Sequence, residues 1–410
     1  MSSALRPHIS DAERRARLMR RHRLADDSAA ATPVDVAESM VGLHATTWST
    51  VYLSTWARKP DFVPADLDAA LYDDRSLVRQ LAMRRTMFVF PRETLRDAVG
   101  AVGPRVAASE RTNMLRDLRR SSDFPDPEGW IDTARAAVAR LESDGIPRST
   151  AQLRDALPEL DGRVTVGTGK SWGGTIPMAP RVLNMMSAAG DIVRGPNDAP
   201  WHRSKPLWVG MEQWLGGPLD PPDVATGHVR MIDRWLRAFG PGTETDLVWW
   251  FGSTKSAVRQ ALTQLDVVEV ELDDGSVGYV HADDTEEVGA IEPRAVLLPE
   301  LDPTTMGHKQ RAFYLGEHGA HVFDSNGNGG QSAWWDGRIV GGWSRQPDGS
   351  VQIHPFERLP RAATRALTSR ADTLAEWLGD ENPRPAYPAP FMRGASMSTS
   401  RTTPTRRTAR

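Results

Sequence analysis

The chain has 410 residues, of which 40% are hydrophobic and 25% are charged, a composition typical of a globular protein with more than one domain. It contains no cysteine, which excludes disulfide bonds, thiolate metal ligands and cysteine nucleophiles. No apolar run approaches the ~18 residues that would span a bilayer, and the Arg-rich N-terminus is not followed by the apolar core of a signal peptide. We therefore expect a cytoplasmic protein with no membrane association.

The formal net charge of −3 is unevenly distributed along the chain. Residues 1–23 have a net charge of +5 and residues 384–410 have +6, so the residues between them carry −14. A protein that coats DNA non-specifically releases counterions through many Lys and Arg contacts, and an acidic body is unsuited to this. Any contact with nucleic acid is therefore expected to be local.

The first predicted unit covers residues 1–120. Thr32 is typical of a helix N-cap, and the apolar residues that follow it recur at helical spacing. A second helix is predicted from near Thr47 to Trp56. The run LVRQLAMRRTMFVFP, which ends at Pro91, predicts paired strands or a short wing. Two short helices with a tight connection, followed by such strands, indicate a winged helix-turn-helix unit.

The second predicted unit, residues 121–218, follows a helical linker. Ser149 is placed to cap a helix over STAQLRDAL, and Pro177 to open a second helix over IPMAPRVLNMMSAAG. Gly190 ends that helix, as glycine commonly does. The strands DIVRG and KPLWVG would complete a wing.

The third predicted unit, residues 219–293, has the clearest pattern. Thr245 is placed to cap DLVWWF, Gly252 to make the turn, and Ser253 or Thr254 to cap KSAVRQALTQL. The segments VVEVEL and SVGYV, joined by an Asp-Gly turn, predict a β-hairpin.

The C-terminal part of the chain changes character. Residues 294–383 consist of short apolar segments separated by Gly, Asp and Asn, which predicts a small β-barrel-like module closed by a final helix over RAATRALTSRADTLAEWLG. Residues 384–410 are rich in Pro, Ser, Thr and Arg and are expected to form a disordered basic tail. The predicted fold is α+β: three tandem winged-helix units followed by this small C-terminal module.

Several segments of the chain occur in the order found in a known enzyme family: YLSTWAR, LVRQLAMRRTMFVF, AFGPGTETDLVWWFG, LLPELDPTTMGHKQR and WWDGRIVGGW. They are spread over most of residues 10–380. With them the chain resembles the AlkZ-like winged-helix DNA glycosylases, bacterial enzymes that excise bulky alkylated bases and unhook interstrand crosslinks made by genotoxic natural products. The resemblance implies a DNA-repair enzyme with a role in self-resistance.

The resemblance also places a catalytic loop within VGLHATTWS. The family's loop reads Gln-aliphatic-Gln, or Gln-aliphatic-Asp in a sister group, whereas this chain has His44-Ala45-Thr46. The Thr-Leu-His of the family is likewise replaced, by Thr86-Met87-Phe88. His44 and Thr46 are therefore the candidate catalytic residues.

The chemistry of such an enzyme suits these two side chains. An alkyl group on guanine N7 makes the base a good leaving group, so the enzyme needs only to hold the adduct, stabilise positive charge on the sugar and direct a water. Neutral His44 can accept a proton from that water, and Thr46 can orient it. With an ordinary pKa near 6.5 for His44, activity should fall in acid. Alternatively, His44 satisfies a buried helix end and Thr46 caps the next helix.

Two groups of cations are candidate DNA contacts. Arg79, Arg84 and Arg85 lie where the first wing would approach a phosphate backbone, although arginines on a strand also suit a solvated face. Lys255 and Arg259 lie one turn apart on the helix that would be the recognition helix of the third unit. If the units pack as a clamp, these two side chains face solvent instead.

Asp302 and Arg311 occur in LLPELDPTTMGHKQR and predict a structural salt bridge that closes the β-module, or else a partly buried pair beside a DNA cleft. The ten His residues show no HxxxH or HxH spacing with a carboxylate partner, and no P-loop or GxGxxG follows a strand. We therefore expect neither a metal nor a cofactor.

Together these features predict a monofunctional DNA glycosylase that hydrolyses the N-glycosidic bond of bulky N7-alkylated purines, in monoadducts or in interstrand crosslinks. Its expected partner is double-stranded DNA with bulky alkyl adducts, and its expected state is a monomer associated with the nucleoid. One alternative is a catalytically inactive winged-helix DNA-binding protein, either a regulator or a protein that shelters damaged DNA. A dimeric transcription factor fits less well, because the sequence contains no dimerisation coiled coil.

Overall fold

The computed structural model describes residues 6–167, 169 and 173–393. The strands are β1 (His8–Ile9), β2 (Leu43–His44), β3 (Leu77–Leu81), β4 (Met87–Pro91), β5 (Arg163–Val166), β6 (Gly174–Pro177), β7 (Ile192–Asn197), β8 (Pro206–Gly210), β9 (Gly242–Thr243), β10 (Val267–Leu272), β11 (Val277–His281), β12 (Ala295–Leu298), β13 (Ser332–Trp335), β14 (Arg338–Arg345) and β15 (Val351–Pro355). The helices are α1 (Asp11–Arg21), α2 (Pro33–Ser39), α3 (Trp48–Trp56), α4 (Pro64–Asp68), α5 (Arg92–Leu118), α6 (Pro127–Glu142), α7 (Thr150–Ala156), α8 (Ala179–Ala189), α9 (Met211–Leu215), α10 (Val224–Phe239), α11 (Glu244–Phe251), α12 (Lys255–Leu262), α13 (Pro303–Met306), α14 (Ala312–Leu315), α15 (Gly319–Val322) and α16 (Arg361–Leu378). In these described ranges, no helix combines the length and the apolar character needed to cross a bilayer.

The two helices predicted on either side of the candidate loop are confirmed. α2 begins with a capping box, in which the Thr32 hydroxyl accepts the Asp35 N–H and the Asp35 carboxylate accepts the Thr32 N–H. Thr47 occupies the N-cap position of α3, and every residue of that helix is buried. Because a helix buried on all sides belongs to the core, the loop before α3 is held against the interior.

A five-stranded antiparallel sheet, in the order β2-β4-β3-β7-β8, joins the first two predicted units. The strand pair predicted in LVRQLAMRRTMFVFP is confirmed as β3 and β4, which a 3₁₀ turn, Met83–Arg85, connects. Arg79 of β3 pairs with Arg194 of β7, and this pairing brings the two hairpins into one sheet. The first and second units therefore share a sheet instead of each forming its own wing.

The helical linker between these units is α5, which has 27 residues and packs against α8 and α10. Its glycines permit this packing, since a Cβ at Gly100 would lie 2.5 Å from the Pro222 carbonyl oxygen. The predicted cap at Ser149 is confirmed for α7, where it forms a capping box with Gln152, and Gly190 ends α8 with a φ of 84°. However, Pro177 belongs to β6, and α8 begins two residues later.

The third unit contains α10, β9, α11, α12 and the hairpin of β10 and β11. The hairpin is confirmed, and its sheet has the order β1-β10-β11-β9, with β1 parallel to β10. Thr243, not Thr245, caps α11: its hydroxyl accepts the Asp246 N–H while the Asp246 carboxylate accepts the Thr243 N–H. Gly252 makes the turn in the left-handed region, and Thr254 caps α12.

The C-terminal module is an antiparallel sheet in the order β12-β13-β14-β15, and α16 contacts both of its outer strands. The final helix is thus confirmed, but among the described residues the sheet is open and does not close into a barrel. The tail prediction is wrong for residues 384–393, because Ala389 is 1% exposed and the Phe391 ring packs 5.1 Å from the His354 ring. Residues 394–410 lie outside the described part of the chain.

Candidate active site

The candidate loop is attached to β4 by backbone pairing. His44 lies opposite Phe88, and the Ala45 N–H donates to the Met87 carbonyl oxygen over 2.7 Å. The Thr46 hydroxyl accepts a hydrogen bond of 3.3 Å from the Met87 N–H. Both candidate catalytic side chains therefore have defined positions beside β4.

A cavity of about 200 Å³ brings several of the predicted residues together. Its walls come from the candidate loop, the turn between β3 and β4, α11, the segments before and after α13, the loop before β13, and the chain after α16. They include His44, Thr46, Arg84, Thr86, Trp249, Leu301, Met306, Lys309, Arg311, Asn326, Asn328 and Tyr387. Of the nine predicted site residues, His44, Thr46, Arg84 and Arg311 line this cavity.

His44 is an uncharged hydrogen-bonding group in the wall of this cavity. Only 4% of the residue is exposed, and its ring meets the Phe88 ring edge-on at 5.1 Å. Burial, followed by the charge of Arg84, lowers the pKa of His44 from 6.5 to about 3, against an opposing attraction from Asp302. Within the described residues, its Nδ1 has no hydrogen-bond partner. The imidazole is therefore neutral at physiological pH, because its pKa lies well below the unperturbed value of 6.5.

Thr46 is half-buried and precedes the N-cap of α3. Its hydroxyl contacts β4, as described above, and makes no capping bond to the helix. The alternative reading of Thr46 as the helix cap is therefore excluded, and its side chain faces the same cavity as His44.

Arg79 is almost fully buried and contacts the candidate loop. It is 5% exposed, and its Nη2 donates to the Ala45 carbonyl oxygen at 3.2 Å and to the Ser204 hydroxyl at 3.0 Å. Its guanidinium also stacks over the Trp48 ring at 4.3 Å. Burial, followed by the charge of Arg194, lowers the pKa of Arg79 to about 9. The Arg79 side chain therefore supports the loop, and its phosphate contact stays a prediction.

Arg84 and Arg311 share one tryptophan. The Arg84 guanidinium carbon lies 4.0 Å from the Trp249 ring centre, and that of Arg311 lies 5.2 Å from it and 4.2 Å from the Phe323 ring. Burial and the charge of Arg311 lower the pKa of Arg84 to about 10. In the described ranges, neither guanidinium has an acidic side chain within salt-bridge distance. Two uncompensated cations therefore adjoin the candidate loop.

The other predicted cations lie outside the cavity. Arg85 is exposed and forms an ion pair with Glu110. Lys255 and Arg259 are on the exposed face of α12, where both contact Glu244, at 3.6 Å and 2.5 Å. All three side chains therefore face solvent in this structure, as the alternative interpretation of the sequence expects.

Asp302 does not pair with Arg311. It forms a bidentate ion pair with Arg58 of the YLSTWAR segment, with N–O distances of 2.8 and 2.9 Å, and both side chains are fully buried. The Ser54 hydroxyl donates to the same carboxylate at 2.6 Å. The sequence predicts an ion pair at Asp302, but the partner is Arg58, which lies 244 residues away in the chain, and not Arg311.

Two cavity residues have no signal in the sequence that marks them as functional. Trp249 lies within the apolar stripe of α11, a pattern that favours a core role, although tryptophans can also stack on bases. Tyr387 lies in the segment for which the composition predicts disorder. Only long-range packing brings them to the candidate loop.

A family model described as DNA glycosylase AlkZ-like matches residues 37–377. The chain belongs to this family and is a DNA glycosylase, an enzyme of DNA repair. Among solved structures, the DNA glycosylase AlkZ of Streptomyces sahachiroi is similar, with a TM-score of 0.70 and 20% identity over 90% of this chain and 97% of that chain. At this identity, the likeness shows a shared fold. A search of curated proteins finds no significant match.

Proposed function

We propose that this DNA glycosylase hydrolyses the N-glycosidic bond of bulky N7-alkylated purines, in monoadducts and in interstrand crosslinks, and acts as a monomer. The observation that carries the proposal is the cavity that His44 and Thr46 line together. Both side chains are neutral hydrogen-bond acceptors. No general acid is needed to protonate the leaving base, because an N7-alkylated purine is already cationic.

The proposed reaction uses one water molecule. As the bond between C1′ and the purine nitrogen breaks, its electron pair neutralises the cationic base, and the water oxygen bonds to C1′. His44 accepts a hydrogen bond from this water through its imidazole, and Thr46 helps to orient it. The sugar product first carries a protonated hydroxyl, which is a strong acid. Even an imidazole whose pKa is about 3 can therefore accept the proton and pass it to solvent.

Arg84 and Arg311 are proposed to hold phosphates next to the target nucleotide. Support comes from their shared stacking on Trp249, which restrains both guanidinium groups. A planar guanidinium donates two parallel hydrogen bonds to phosphate oxygens. The phosphates would supply the negative charge that the cavity lacks and would offset the repulsion between these arginines and a cationic base.

The division into three winged-helix units is also part of this proposal. The support for this division is an order of elements that recurs along the chain: a helix, a short strand, two helices and a β-hairpin. The short strand pairs with the second strand of the hairpin. β2 pairs with β4 in the first case and β9 with β11 in the third. In the second, Arg148 pairs with Trp208 of β8. Such units bind DNA through helices and wings in many proteins.

The test is base release from a duplex with one bulky N7-alkylguanine under single-turnover conditions. We expect His44→Ala to lower the rate by roughly 100-fold or more and Thr46→Ala by roughly tenfold, with duplex affinity retained. His8→Ala, at an exposed position that does not line the cavity, is the matched control and should leave the rate unchanged. Tight binding by the wild-type protein without base release would contradict the proposal and favour the DNA-binding alternative.

A further inference from the structure

The chain after α16 returns to the candidate active site. Residues 384–393, which we call the C-terminal strap, lie beyond the residues that the family model matches. Ala389 is buried so closely against Gly330 that a Cβ on that glycine would overlap it. Phe391 packs on Gly342 and against the His354 ring. The strap is therefore anchored on the C-terminal sheet.

A buried carboxylate holds the strap at its other end. Glu300 is 3% exposed, and its two oxygens accept the N–H groups of Ala386 at 2.9 Å and Tyr387 at 2.5 Å. The backbone carbonyl of Glu300 in turn accepts a hydrogen bond of 2.9 Å from the Thr50 hydroxyl of α3. Glu300 thus links the strap to the helix that follows the candidate loop.

This link places Tyr387, an aromatic residue, at the cavity. Tyr387 lines the same cavity as His44 and Thr46, although it is 343 residues from His44 in the sequence. Aromatic faces attract cations and cover apolar surface, and an N7-alkylated purine with a large substituent presents both. An N7-methyl group offers little surface beyond the purine, whereas a benzyl group offers a second ring.

We infer that Tyr387 is a specificity-determining residue that contacts the alkyl substituent of the adduct, and that Glu300 is the positioning residue that holds it there. The inference rests on the proposed function and identifies which part of the substrate the C-terminal strap recognises. It assigns a role to a segment whose composition alone predicts disorder.

The first experiment compares duplexes that carry one N7-methylguanine or one N7-benzylguanine. We expect Tyr387→Ala to lower the single-turnover rate for the benzyl adduct by roughly tenfold or more, with a much smaller effect on the methyl adduct. Tyr387→Phe keeps the ring and should keep the wild-type ratio of the two rates. Tyr279→Ala, which removes a tyrosine of β11 outside the cavity, is the matched control. Equal loss for both adducts, or no loss, would overturn the inference.

Glu300→Gln tests the positioning role, because an amide oxygen replaces only one of the two acceptors. We expect faster hydrogen exchange at the Ala386 and Tyr387 amides, a reduced benzyl-to-methyl rate ratio and a nearly unchanged methyl rate. Faster exchange with an unchanged ratio would limit Glu300 to a structural role and contradict its part of the inference.

Failure of the proposed function can be distinguished from failure of the inference about Tyr387. If the wild-type protein releases neither base, the glycosylase assignment for N7 adducts fails, and the inference is tested by affinity instead. The benzyl duplex should then bind more tightly than the methyl duplex, and Tyr387→Ala should remove this difference. An affinity ratio that Tyr387→Ala leaves unchanged would reject the contact.

Discussion

The imidazole of His44 is neutral because burial disfavours its charged form and Arg84 opposes a second positive charge. Its pKa of about 3 lies well below neutral pH. The protonated form, which would repel the developing positive charge on the sugar, is therefore populated only in strong acid. At the scale of the residue, burial turns a potential pH switch into a constant hydrogen-bond acceptor.

This predicts a flat pH profile. The single-turnover rate of base release, after subtraction of spontaneous depurination, should change less than about twofold between pH 5 and pH 8, since His44 stays neutral above its pKa of about 3. His44→Gln introduces the residue that the family has here and cannot titrate, so it should keep activity and give the same profile. A wild-type rate that halves near pH 6.5, while that of His44→Gln does not, would show that His44 titrates normally.

At the scale of elements, one ion pair connects α3 to the segment that begins α13. Arg58 donates to both oxygens of Asp302, and Ser54 and the Thr304 N–H complete the hydrogen bonds of that carboxylate. The pair lies in the core, and Asp302 is close enough to His44 to raise the pKa of that imidazole.

Loss of one partner should therefore be costly. Arg58→Met leaves the Asp302 charge buried without its counter-ion, and we expect the free energy of unfolding to fall by about 3–5 kcal/mol. Arg96→Met is the matched control, because Arg96 pairs with Asp220 on the surface and such pairs contribute about 1 kcal/mol or less. Denaturant unfolding of both variants measures the difference. Equal stability of the two variants would show that the buried pair contributes no more than the exposed one.

At the scale of the whole molecule, charge is separated between the basic ends and an acidic body. Residues 394–410 contain four Arg and no acidic residue, so truncation after Arg393 changes the formal net charge from −3 to −7. The truncated chain keeps the C-terminal strap, and base release at low salt should be retained.

Truncation should reduce the salt dependence of DNA binding. The slope of log affinity against log salt should become shallower by ~0.9 for each of these arginines that contacts a phosphate. A full-length chain in which the same four arginines are replaced by Gln is the control for tail length and should behave like the truncated one. Identical slopes for the wild type and both variants would remove the tail from the DNA interface.

Much of the local structure and the family can be predicted from the sequence. The caps at Thr32, Ser149 and Thr254 are short-range hydrogen-bond patterns, and a helix end within a few residues of such a pattern needs no distant partner. Sequence motifs that occur in the family's order likewise identify the family, and they predict His44 and Thr46 as the candidate catalytic residues. These features are local, and each is determined by neighbours in the chain.

The surroundings of the site residues are determined only by the tertiary structure, because they depend on contacts between residues that are far apart in sequence. Packing buries Arg79 beneath the loop, and it makes Arg58 instead of Arg311 the ion-pair partner of Asp302. It also brings Tyr387 to the cavity, through a carboxylate 87 residues away. Composition predicts disorder for that segment, since Pro and Arg build no core of their own; Glu300 and the C-terminal sheet supply the contacts that order it.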